Sequence, residues 1–155
     1  MFNDQKKYYI IIVLIAFVFY QLVNFIYFPI DIMFPDESRF LQEAVEFAKT
    51  GEFKIGDNRA WEMPLTAILY GLIYKLFNDI ENTIICIRIL QSLMLIFQSV
   101  LLYKISFIIF KNKEVSFITF VIVLFYPFFI YYQALLLSET VFITIFLVAF
   151  YFLYK

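Results

Sequence analysis

Residues 84–110, with the sequence IICIRILQSLMLIFQSVLLYKISFIIF, decide the fold. Such a run is long enough to cross a hydrocarbon core of about 30 Å as one helix. Its polar side chains follow one another along one helical face: Arg88, Gln91, Ser92, Gln98 and Ser99. A polar face is costly against lipid, so we expect it to face a bundle interior or a wet cavity. Hydrogen bonds between helices satisfy the same side chains equally well, and the sequence favours neither use.

The composition of the whole chain indicates an integral membrane protein. Its 155 residues are 64% hydrophobic, 23% aromatic and only 16% charged, whereas a soluble domain averages about 45 to 50% apolar. A formal net charge of −1 lacks the basic footprint of a nucleic-acid binder. With no His and only Cys86, His-based triads, His-ligated zinc and an intramolecular disulfide are excluded. Any chemistry must use carboxylates, Arg, Lys or hydroxyl groups.

The hydrophobic pattern predicts an all-α transmembrane bundle of about four spans in a single membrane domain, residues 1–155. The predicted spans are 8–30, 84–110, 115–130 and 135–154. Within the hydrophilic loop 31–82, apolar residues at helical spacing between Pro35 and Gly51 predict a short amphipathic helix on the membrane surface. The apolar run 64–77 is short for a crossing and is expected to be a second interfacial helix.

The positions of the lysines predict the orientation. If 64–77 does not cross, one group of lysines falls on a single side of the membrane, and the positive-inside rule makes that side cytoplasmic. The group is Lys6, Lys7, Lys104, Lys111, Lys113 and Lys155. We therefore expect a cytoplasmic N-terminus and loop 31–82 on the outer face. The high usage of Phe, Ile, Lys and Asn is typical of an AT-rich bacterial genome, which indicates a bacterial inner (plasma) membrane.

Two adjacent acids, Asp36 and Glu37, open the loop helix just after the first span. Paired carboxylates at a membrane surface are able to bind a divalent cation or to act as a general base on an acceptor hydroxyl. The same residues also suit the start of a helix, with Asp36 as N-cap and Glu37 as a first-turn acid favoured by the helix dipole. Both interpretations are open at the level of sequence.

Three further charged residues are predicted at the same depth. Arg88 lies at the outer end of the second span, where its planar fork suits a lipid phosphate or where it snorkels to water. Glu62 precedes the interfacial helix 64–77, and Glu139 lies about one turn inside the fourth span. Glu139 has the alternative of simply reaching water at the membrane boundary. Together with the acidic pair, these residues suit a reaction between a phosphate-bearing lipid and a hydroxylated acceptor.

The order of these residues resembles the N-terminal part of the GT-C class of polytopic glycosyltransferases, which includes the protein O-mannosyltransferases and the lipid A aminoarabinose transferases. In that class an acidic pair opens the first outer loop, interfacial helices follow, and the next span opens with Arg. The similar stretches here are Phe34-Pro35-Asp36-Glu37, Trp61-Glu62-Met63-Pro64-Leu65, Ile87-Arg88-Ile89 and Leu137-Ser138-Glu139-Thr140. The resemblance covers essentially the whole chain.

The resemblance implies a polyprenyl-phosphate-linked sugar as donor, transfer with inversion, and a glycan, lipid or protein as acceptor. It implies that Asp36 is the catalytic base, and that Glu37 and Glu62 position the acceptor or, with Asp36, a divalent cation. Arg88 is expected to hold the donor phosphate, and Glu139 to contact substrate. Many members of the aminoarabinose branch carry Lys-Pro-Pro-Leu where this chain has Met63-Pro64-Leu65.

Two expectations concern the chain as a whole. Members of the class are several hundred residues long, so we expect this chain to be the N-terminal part of a longer enzyme. The alternative function is a small polytopic membrane scaffold or accessory subunit without catalytic activity, which uses the polar face of residues 84–110 for helix packing. Membrane lipids are partners in either case, and nucleic acid is not.

Overall fold

The computed structural model describes residues 2–28, 32–55, 58–59 and 64–155, with side chains described for 7–28, 32–53 and 64–155. These residues form helices joined by short connections, with a ribbon of two two-residue strands between the second and third helices. The elements are α1 Phe2–Tyr27, α2 Pro35–Thr50, β1 Lys54–Ile55, β2 Asn58–Arg59, α3 Pro64–Phe77, α4 Ile80–Phe110, α5 Lys113–Phe125, α6 Pro127–Ala134 and α7 Glu139–Tyr154. The predicted all-α class is confirmed.

The helices identify the chain as a membrane protein. Over an 18-residue window, the mean hydropathy is 2.4 within Lys7–Tyr27 of α1 and 2.1 within α4. Both are long and apolar enough to cross a bilayer, and α5 with α6 passes the same test as one bent pair. Helix α7, which corresponds to the predicted fourth span, is a shorter apolar helix. Length and composition thus support two crossings, or three with the bent pair, and the fourth stays a prediction.

The amphipathic helix α2 and the apolar helix α3 form the predicted pair of short helices between α1 and α4. Helix α2 begins with Pro35, a residue suited to the first helical turn, and ends at Gly51, which has a left-handed φ of 78°. Helix α3 spans the predicted interval 64–77. The antiparallel β1–β2 ribbon between them, which pairs Lys54 with Arg59, is not part of the sequence prediction.

A bend divides the predicted span 115–130 into α5 and α6. The two helices meet at Tyr126 with an angle of 46°, because Pro127 has no N–H and its ring disfavours helical geometry in the residue before it. The Tyr20 hydroxyl donates a hydrogen bond to the Leu124 carbonyl near the end of α5. A side chain of α1 therefore binds a carbonyl that the bend releases.

Helix α4 is the central element of the fold. Against its N-terminal half, α2 and α3 bury a cluster that includes Phe40, Tyr70 and Ile87. Against its middle, α1, α5 and α6 bury a second cluster around Tyr20, Leu95 and Leu124, and α7 packs against its C-terminal part through Leu101, Ile105 and Leu147. The predicted interior position of the polar face of α4 is confirmed, since its side chains are buried.

Helices α2 and α3 approach each other most closely at Gly71. A Cβ atom on Gly71 would lie 2.7 Å from the Ala44 carbonyl oxygen and 2.9 Å from Cδ1 of Phe47. Real Cβ atoms do not make contacts this short, so one helix has to move if the residue gains a side chain. The hydrogen atom of Gly71 is what lets the two backbones touch.

We predict that Gly71→Ala lowers the free energy of unfolding by about 1 to 3 kcal/mol, the usual cost of overpacking. The measurement is the thermal unfolding midpoint of the purified protein in detergent. Gly51→Asn is the control, because nothing lies within 4 Å of a Cβ there and Asn tolerates positive φ. A Gly71→Ala midpoint equal to that of Gly51→Asn would contradict the close packing.

Candidate functional site

Glu37 is fully buried, with 0% of its surface exposed. Its Oε1 accepts hydrogen bonds from the main-chain N–H groups of Met33 and Phe34, at 3.2 and 3.1 Å. Its Oε2 accepts a bond of 3.0 Å from the N–H of Leu136, between α6 and α7. The carboxylate therefore caps the start of α2 and fastens that helix to a distant segment of the chain.

Arg88 is also buried, with 4% exposed, and its guanidinium binds the ends of two helices. Its Nε donates to the carbonyl of Ala134, the last residue of α6, at 3.0 Å. Its Nη1 donates to the carbonyl of Phe28, just after α1, at 2.9 Å. A cation at helix C-termini is stabilised by the helix dipoles, and the negative charge of Glu37 adds to that attraction.

The linker 135–138 between α6 and α7 is where these side chains meet. It is not helical, so its main-chain groups need partners from elsewhere. Besides the bond from Leu136 to Glu37, the carbonyl of Leu137 accepts from the Tyr70 hydroxyl at 3.0 Å and from Gln91 Nε2 at 3.3 Å. Side chains of α2, α3 and α4 thus serve one short linker.

Tyr70 is buried at 0% exposure, and this burial is the main reason why its pKa is raised far above its usual range. The nearby charges of Glu139 and Glu37 raise the pKa further. The phenol therefore stays neutral, as its two hydrogen bonds require: it donates to Leu137 and accepts from Gln91 Nε2 at 2.9 Å.

A second polar cluster joins α1, α4 and α6. The Ser92 hydroxyl lies 2.7 Å from Gln133 Oε1, and Gln133 Nε2 donates to Asn24 Oδ1 at 3.1 Å. Farther along α4, Gln98 Nε2 donates to the Thr140 carbonyl and the Thr144 hydroxyl. The polar face of α4 is thus used for hydrogen bonds between helices, one of the two uses that the sequence left open.

The two acids of the predicted pair have different environments. The side chain of Asp36 is 57% exposed and forms an ion pair with Arg39, one turn later on α2. Glu37 lies on the buried side of the same helix. Asp36 is therefore the member of the pair that a soluble acceptor or a cation is able to reach.

Glu139 directly follows the linker 135–138, as the first residue of α7. It is exposed and lines a cavity of about 240 Å³ between α4, α6 and α7, together with Gln98, Gln133 and Thr140. A first-turn acid is favoured by the helix dipole, so the position is also consistent with a purely local role.

Two of the three predicted ligands of the divalent cation, Asp36 and Glu37, lie among the described residues. Glu62 lies outside the described residues, and both oxygens of Glu37 already accept main-chain hydrogen bonds. Among the described residues, no three Cys, Asp or Glu side chains are grouped closely enough to hold a metal ion. Of the three predicted ligands, Asp36 is the one whose described carboxylate is exposed.

Glu37 was predicted from the sequence as a site residue, but its burial was not, and Tyr70, Asn24 and Gln133 were missed. Glu37 lies three residues before Phe40 and seven before Ala44, in the middle of the apolar face of α2, and this spacing was a signal for its burial. Glu43, one of the loop acids, is also fully buried. Tyr70, Asn24 and Gln133 gave no comparable signal, because their partners are distant in sequence.

Comparison with protein-family models, with curated proteins and with solved structures found no match for this chain.

We predict that Glu37→Gln destabilises the protein by about 2 to 4 kcal/mol, since hydrogen bonds to a charged acceptor contribute about 1.5 to 3 kcal/mol and an unsatisfied buried donor adds a penalty. The two carboxylate oxygens of Glu37 accept hydrogen bonds from three main-chain N–H groups. Gln replaces one of these oxygens with an NH₂ group, which is a donor and accepts none of them. Asp36→Asn, on the neighbouring exposed residue, should change stability by less than about 0.5 kcal/mol. Thermal unfolding in detergent compares the two variants; equal midpoints would show that the carboxylate is dispensable.

Proposed function

We propose that this chain is a membrane glycosyltransferase of the GT-C class, or the N-terminal part of one. It transfers a sugar from a polyprenyl-phosphate-linked donor to a glycan, lipid or protein acceptor, with inversion at the anomeric carbon. The reaction takes place at the outer face of a bacterial inner membrane. Asp36 acts as the base that takes the acceptor proton.

The observation that carries the proposal is the division of roles between Asp36 and Glu37. A general base must be open to its substrate and held in a defined position. Asp36 is exposed, and the start of its helix is fixed by the three hydrogen bonds of Glu37. The N-cap role that the sequence allowed for Asp36 is not its role in the structure, because the N-cap is Phe34 and the capping carboxylate is Glu37.

The surroundings of Arg88 support a lipid donor. Arg88, Asn24 and Gln21 lie along a mostly apolar groove of about 680 Å³ between α1 and α4, the Arg88 groove. Its other walls are apolar side chains: Phe17, Val18, Leu22, Phe25, Phe28 and Ile85. Such a surface suits a polyprenyl chain, and the positive charge of Arg88 at the same groove suits the phosphate.

A non-enzymatic scaffold is the second candidate. It is favoured by the observation that the described hydrogen bonds of Glu37, Arg88 and Gln91 all serve to join segments of this chain. The amides of Gln91 and Gln98 are buried inside the chain, however, so they do not face a partner helix. A scaffold would have to use another surface.

We expect Asp36→Asn to reduce sugar transfer by about 10² to 10⁴, the usual contribution of a positioned base, while expression and membrane insertion stay unchanged. The assay uses membranes that contain the complete protein and follows label from a polyprenyl-phosphate sugar into acceptor. Glu46→Gln, the same chemical change elsewhere on α2, is the control and should transfer normally. Transfer by Asp36→Asn at the control rate would remove Asp36 from the mechanism and favour the scaffold.

The proposed orientation predicts which positions react from outside. In a Cys86→Ser background, Lys49→Cys should be labelled by an impermeant thiol reagent added to intact cells, because α2 belongs to the outer loop. Asn112→Cys, in the exposed turn between α4 and α5, should react only after the cells are opened. The reverse pattern would place the acidic loop in the cytoplasm.

A further inference from the structure

A second groove lies on the same pair of helices, far from Arg88. It has a volume of about 690 Å³ and is lined by α1, α4 and α5. We call it the Lys104 groove. Arg88 and Lys104, the charged residues of the two grooves, are separated by 16 positions of α4, or about 24 Å along that helix. Apolar side chains form most of the walls: Ile10, Val13, Leu14, Val100 and Phe120.

Lys104 is the charged residue among those that line this groove. Tyr9 and Tyr103 line the groove with it, and their rings meet edge to face at 5.9 Å. The Nζ of Lys104 lies 5.6 Å from the ring centre of Tyr151 on α7. Lys104 is exposed, and in the part of the chain that the structure describes no carboxylate forms an ion pair with it.

The groove lies at the basic end of the bundle, where α1 begins, α4 ends, α5 begins and α7 ends. Aromatic contacts bring these helix ends together: Tyr9 of α1 packs against Tyr103 of α4 and Phe117 of α5. Lys104 of α4 contacts the ring of Tyr151 of α7. Six lysines belong to them in sequence, against the two acids Asp4 and Glu114. This end therefore attracts anions, whereas the segment 31–82 has an acidic sequence.

We propose that the Lys104 groove binds an anionic phospholipid of the adjacent leaflet. The phosphate is placed at Lys104, and an acyl chain lies along Val13, Leu14 and Val100. Basic pockets between transmembrane helices bind anionic head groups in this way. A zwitterionic lipid brings its own ammonium group beside its phosphate and an apolar helix brings no charge, so a lipid with a net negative charge is the occupant that complements Lys104.

The test uses brominated lipids, which quench tryptophan fluorescence on contact. Leu14→Trp in a Trp61→Phe background places the probe on the groove wall, and Ile15→Trp places it one residue away, off the groove, on an equally exposed position (57% and 56%). The full chain is reconstituted in phosphatidylcholine vesicles that contain dibrominated phosphatidylglycerol or dibrominated phosphatidylcholine with the same chains. The ratio of quenching by the two lipids reports the preference for the anion at each probe.

We expect the probe at residue 14 to be quenched severalfold more strongly by phosphatidylglycerol, and the probe at residue 15 to show little preference. Lys104→Gln should reduce the preference at residue 14 by about fivefold, as one basic contact is worth about 1 kcal/mol. Lys111→Gln removes the same charge at the same end, outside the groove, and should leave the preference within about twofold. Equal quenching by both lipids at residue 14, or an equal effect of the two lysine variants, would overturn the proposal.

Discussion

The need to satisfy main-chain groups where helices break governs the arrangement of this bundle. Away from water, an N–H or carbonyl without a partner costs several kcal/mol, so a non-helical stretch is tolerated only where other groups bind it. The chain has such stretches at Tyr126 and in the linker 135–138. Tyr20 binds the carbonyl released at the first, and Glu37, Tyr70, Arg88 and Gln91 bind those in or beside the second.

This requirement changes how the charged residues are interpreted. A buried Arg and a buried Glu in an apolar protein are functional candidates by default, yet here each has a structural task that explains its burial. Under the proposed function, the described groups that offer surface to a substrate include the exposed Asp36 and Glu139 and the groove beside Arg88. The buried set holds these positions in place, which is the relation expected between supporting and reacting groups in a preorganised site.

Local signals predicted much of the fold. Pro35 and Pro64 fix their own φ and Gly51 permits a left-handed φ, and because these effects act within one or two residues, the bounds of α2 and α3 were predicted correctly. The interior position of the polar face of α4 followed from its spacing. The linker 135–138 was not predicted, because its sequence Leu-Leu-Leu-Ser continues the apolar run on both sides. Its non-helical conformation is stabilised by hydrogen bonds to residues that are distant in sequence. The roles of Tyr70, Asn24 and Gln133 were missed for the same reason, because their hydrogen-bond partners are distant in sequence.

The attachment of Glu37 to Leu136 also sets an order of assembly. The chain is synthesised from its N-terminus, so α2 and α3 emerge long before the linker that Glu37, Tyr70 and Arg88 bind. Until residues 134–137 have been made and have docked, each of these three side chains lacks one of its hydrogen bonds in the finished bundle: the bond of Glu37 to Leu136, of Tyr70 to Leu137, or of Arg88 to Ala134. Helices α2 and α3 therefore reach their final position only when the linker 135–138 docks onto them, and any factor that assists insertion has to accommodate the Glu37 carboxylate and the Arg88 guanidinium in the meantime.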